Sequence, residues 1–161
     1  KSDRDPVRSV MSFSGYMEGW AVYAEKTAYD FAGLDEDVAE LLATDDTLML
    51  YLYAKADIGV NARGWNKNDV ARFLSEIGID DEATATTMYD AHVAEPGNYL
   101  KYAIGYLEVS ELRDRAQEAL SDDFDLKAFH EFLLETGPAF FDIVGDRLEL
   151  WIAEEGGKAA A

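Results

Sequence analysis

No stretch of this chain makes a convincing alternating strand, in which apolar and polar residues would trade places over roughly four to eight positions between turn signals. Apolar residues return instead every third or fourth position, and the runs are punctuated by glycine, proline and helix-capping asparagine or aspartate. The pattern dictates an all-α fold, a multi-helix bundle with short turns. Asp5-Pro6 can open a first helical turn, because proline at that position gives up no needed donor. A long helix is expected from about Phe13 to Phe31, closed by Gly33, and a second from about Asp35 to Ala62. Thr44-Asp45-Asp46 marks a point where polar side chains compete for the backbone and would interrupt that second helix. Asn66 or Asn68 caps a short helix over Val70, Phe73 and Leu74 that ends at Gly78, and Asp80 or Asp81 caps another reaching His92. Pro96-Gly97 breaks the chain before a long helix to about Leu120. Asp125 caps Leu126 to Thr136, Gly137-Pro138 stops it, and a last helix runs from about Phe140 to Ile152. With no internal repeat or linker, residues 1–161 read as one helical domain, residues 153–161 forming a frayed tail.

The charge narrows the choice of partners. Thirty-three acidic residues against 14 basic ones leave a formal charge of -19. Nucleic acid and anionic membranes would be repelled by such a surface, whereas a cation, a basic partner or plain solvation would suit it. No apolar run is long enough to insert in a bilayer. The absence of cysteine removes a disulfide framework and a thiolate metal site, and leaves the redox compartment open. Opening at Lys1-Ser2-Asp3 without a start methionine or signal peptide, the chain reads as a fragment of a longer protein.

The segment richest in chemistry is Gly15-Tyr16-Met17-Glu18-Gly19-Trp20-Ala21-Val22-Tyr23-Ala24-Glu25. On a helix, Tyr16, Trp20, Tyr23 and Thr27 share one face, and Glu18, Val22, Glu25 and Tyr29 the opposite one. Each interior glycine costs about 1 kcal/mol relative to alanine, and such glycines mark a close approach of backbone or ligand. Glu18 and Glu25 are either a solvated face behind packed aromatics or carboxylates fixed beside a metal. Spacing does not decide between these readings.

Four blocks in order resemble the bacterial domain-of-unknown-function family 885. Gly15 to Glu25 looks like its E-G-W-A-x-Y-x-E signature, and Asp57-Ile58-Gly59-Val60-Asn61-Ala62-Arg63-Gly64-Trp65 like its D-x-G-x-x-x-x-G-W block. Pro96 to Glu108 resembles a P-x-x-Y-x-x-Y-x-x-G block, and Phe124 to Pro138 the closing one. The resemblance implies the C-terminal part of a larger helical, gluzincin-like zinc metallopeptidase fold. Its H-E-x-x-H motif would lie upstream of this region, with peptide as the substrate class. Secretion or lipoprotein anchoring is also implied. Carried over by position, Glu18 becomes the third zinc ligand, beside two histidines from the missing N-terminal half.

The same analogy assigns Tyr102, with Tyr99 as substitute, to donate a hydrogen bond to the developing oxyanion. The alternative is tyrosine rings packed with their hydroxyls at the surface. Arg113 would pair with a substrate carboxylate, or else with Glu108 or Asp114. Many family members carry a histidine where this chain has Asn61. Of the two histidines, His130 is expected to be structural and His92 to lie at the surface. His130-Glu131-Phe132-Leu133-Leu134 lacks a second histidine, so the chain alone is expected to bind no zinc and hydrolyse no peptide. A di-iron bundle would need Glu-x-x-His pairs, but Tyr89 and Lys127 stand three before the histidines. A non-enzymatic acidic interaction domain, or a degenerate peptidase, is the rival reading. Faces meant for the missing half would drive self-association or line an open aromatic groove.

Overall fold

The computed structural model describes residues 12–159, and every regular element in that range is helical. Seven α-helices follow one another: α1 Ser14–Tyr29, α2 Glu36–Arg63, α3 Lys67–Ser75, α4 Glu82–Ala94, α5 Leu100–Leu120, α6 Leu126–Thr136 and α7 Phe141–Ala159. A short 3-10 turn, Ser121–Asp123, joins α5 to α6. Among the described residues no helix is long and apolar enough to cross a membrane. The expected turn at Asp5-Pro6 lies outside the described residues.

The helix ends follow from local chemistry. Asp35 accepts from the Asp37 amide, Asp81 from Thr84 and Asp125 from Lys127 and Ala128, each satisfying an otherwise orphaned donor. Asn66 and Asp69 cap α3 reciprocally. Gly64 ends α2 in the left-handed region at φ 70°. Two boundaries differ from the sequence reading. Helix α2 runs unbroken through Thr44-Asp45-Asp46, because the side chains there find partners without unseating the helix. Thr47 donates back to the Ala43 carbonyl at 2.6 Å, and Asp46 accepts from the Tyr29 hydroxyl at 2.6 Å. Helix α7 continues past Ile152 to Ala159, since its intervening alanine and glutamates favour helix enough to carry Gly156 and Gly157.

The chain divides into two compact units. The first comprises residues 1–23 and 104–161, the second residues 24–103. Core residues of the first include Tyr16, Tyr23, Val109, Leu112, Phe129, Leu133, Val144 and Leu148. Leu52, Ala56, Val70, Phe73, Leu74, Ala85 and Met88, from α2, α3 and α4, close the core of the second.

Candidate functional site

Within the first unit, α1 is held against α5 at backbone distance. A Cβ on Gly19 would overlap the backbone of Gly105, and one on Gly105 would overlap the Gly15 carbonyl and lie 2.8 Å from the Gly19 Cα. Only glycine permits this approach. Tyr16, buried, donates to the Leu133 carbonyl at 2.5 Å. The buried Tyr23 hydroxyl meets His130 Nε2 at 3.1 Å, and Trp20 packs edge-on against the same imidazole with centroids 5.3 Å apart. The aromatic face of α1 is therefore packed and pinned. Glu18, next to Gly19, is half-buried, and Glu25 is exposed. Burial pushes the His130 pKa down.

Arg113, on α5, turns both Nε and Nη2 to Asp114 Oδ1, at 3.1 and 2.8 Å. That fork is one of the local pairings the sequence offered. Burial lowers the Arg113 pKa, but Asp114, with Tyr23 and Tyr106, raises it, for a net rise. Among the described residues no group of three His, Cys, Asp or Glu side chains could hold a metal ion.

The second unit contains a polar cluster that the sequence did not reveal. His92, expected at the surface, is fully buried. It sits on the inner face of α4 with Ala85 and Met88, a period that outweighs its nearness to the Pro96 break. Neither ring nitrogen has a hydrogen-bond partner, and Asp57 Oδ2 is 3.9 Å from Nδ1, too far for one. Asp57 itself is 1% exposed. Its Oδ1 accepts from Asn61 Nδ2 at 2.8 Å and from the Gly97 amide at 2.9 Å, and its Oδ2 from the Tyr99 amide at 3.3 Å. Asn61 Nδ2 also donates to the His92 carbonyl at 3.1 Å. The Tyr99 ring lies 4.7 Å from Tyr53 and 5.0 Å from His92, centroid to centroid. Burial, then the neighbouring Tyr53 and Glu95, raise the Tyr99 pKa, so the phenol keeps its proton. Tyr102 is half-buried, with the Lys101 ammonium 5.0 Å from its ring centre. Tyr53 and Tyr99 line a cavity of about 290 Å³ with Asp81, Thr84, Thr87 and Met88. The paired Asp57 and Asn61, four apart on one helix, were the only trace of this cluster in the sequence.

Among the described residues the class is all-helical, with a glycine-mediated helix contact in the first unit and a carboxylate-held turn in the second. The chain belongs to the family described as "Bacterial protein of unknown function (DUF885)", whose pattern matches residues 1–148. Among solved structures it is similar to the "putative lipoprotein" from Colwellia psychrerythraea, at 24% identity and a TM-score of 0.77. The match covers 92% of this chain and 26% of that one. That likeness shows the fold. No curated protein matches the chain significantly.

Proposed function

We propose that this chain is the C-terminal part of a zinc-dependent peptidase with a gluzincin-like fold, supplying Glu18 as the third zinc ligand and a tyrosine donor to the transition state. Alone, it binds no zinc and is inactive. The observation that carries the reading is the anchoring of α1 beside Glu18. A ligand carboxylate has to be held within a few tenths of an ångström, and the Gly19–Gly105 contact locks the backbone next to it. Family membership and the four ordered blocks support the same reading. Tyr102 or Tyr99 would donate to the oxyanion, and the raised Tyr99 pKa suits a hydroxyl that must stay protonated. Arg113 would serve a substrate carboxylate only by leaving Asp114.

The test is zinc content and peptide hydrolysis of the longer protein, wild type against Glu18→Gln. Stoichiometric zinc lost together with turnover is expected. Zinc and turnover unchanged by the substitution would sink the ligand assignment. A second reading, a non-enzymatic helical interaction module, rests on exposed apolar side chains in the second unit: Phe31, Leu34, Val38, Leu41 and Leu48. They would cover the missing half of the longer protein or drive self-association.

A further inference from the structure

Three residues one helical turn apart on α2, Tyr53, Asp57 and Asn61, hold the turn that precedes α5. Tyr53 packs on the Tyr99 ring, Asp57 accepts from the Tyr99 and Gly97 amides, and Asn61 donates to the His92 carbonyl. Burying a carboxylate costs desolvation that offsets much of what its bonds return. Here two of its three donors are backbone amides of one turn, between the end of α4 and Leu100, that no helix ladder serves. Gly97, at φ 77°, takes the left-handed conformation that brings its amide to Oδ1. His92 packs edge-on against the Tyr99 ring and also against Tyr53, so the three rings form one cluster. Tyr99 is thus fixed at its amide and at its ring, and it is one of the residues that line the 290 Å³ cavity.

We propose that Asp57 is the positioning residue for Tyr99, and that it makes Tyr99 the preorganised hydroxyl of this region. The inference rests on the reading of a tyrosine as transition-state donor, since a donor contributes most when it is already in place. Asp57 touches no substrate and acts through the turn.

Nuclear magnetic resonance on the 161-residue chain tests the positioning without reference to activity. In the wild type, the Gly97 and Tyr99 amides should exchange slowly for turn amides. Asp57→Asn should speed that exchange and abolish the Tyr99–His92 ring contacts, whereas Val70→Ala, a cavity in the core of the same unit, should lower stability and leave those contacts intact. Fast exchange of the two amides in the wild type would overturn the proposal even if the variant failed to fold. So would Tyr99 ring signals that stay put in Asp57→Asn, or that move equally in Val70→Ala. In the longer protein, Asp57→Asn should lower kcat roughly tenfold to a hundredfold with KM nearly unchanged. An unchanged kcat beside displaced Tyr99 signals would reduce Asp57 to a structural role and refute the proposal. If the wild type hydrolyses no peptide, the peptidase reading fails and the resonance data still decide whether Asp57 fixes Tyr99.

Discussion

Burial of the His92 imidazole removes it from water without giving either nitrogen a partner. Desolvation therefore pushes its pKa below the ordinary histidine value of 6.5, and the opposing pull of Asp57 is the smaller effect. The sign of the consequence is fixed. The unfolded chain takes up a proton near pH 6.5, and the folded one resists until lower pH. Stability from this site is complete above that value and declines as pH falls below it. His130, also depressed by burial, acts in the same direction. We expect urea unfolding to show lower stability at about pH 5.5 than at about pH 7.5. His92→Gln should flatten that slope, and an unchanged slope would assign it to other groups.

Between helices, the same change of one methyl group has opposite effects at two glycines. Gly19→Ala drives a Cβ into the backbone of Gly105, which no rotamer change relieves. Overpacking of this kind costs about 1–3 kcal/mol or more, so a clear fall in Tm is expected. Gly145, inside α7, would meet only Arg115 Nη1 at 3.5 Å, an ordinary contact at the end of a flexible side chain. Gly145→Ala should raise stability by up to about 1 kcal/mol through helix propensity. Thermal unfolding of the two variants side by side checks both, and equal shifts would refute the account of the α1–α5 contact. Removing the reciprocal cap of α3 with Asn66→Ala should cost about 1 kcal/mol by the same assay.

Over the whole molecule, the charge of -19 sets the environment in which these contacts operate. Many of the acids are solvated, and the ion pairs Lys67–Asp90, Arg72–Asp69 and Arg115–Glu149 join partly exposed side chains. Repulsion among like charges favours expansion and is screened by salt, with a Debye length of about 10 Å at 0.1 M. We expect Tm to rise between low salt and about 0.5 M NaCl. A Tm that falls would show attractive pairs to dominate over the net charge.

The sequence by itself determined the helices, because periodicity, caps and glycine stops are local: Asn66, Asp81, Asp125 and Gly64 act within a turn of where they stand. It also carried the face of α1 that packs, since Tyr16 and Tyr23 are spaced for it, and the chemical candidates Glu18, Tyr99, Tyr102 and Arg113. What the glycines of α1 approach was not written locally. Gly105 stands 86 positions after Gly19, and only packing brings the two together. The burial of His92 and the capture of the 96–99 turn by Asp57 were decided in the same way. A buried charge is defined by partners distant in the chain, and spacing along one helix does not encode them.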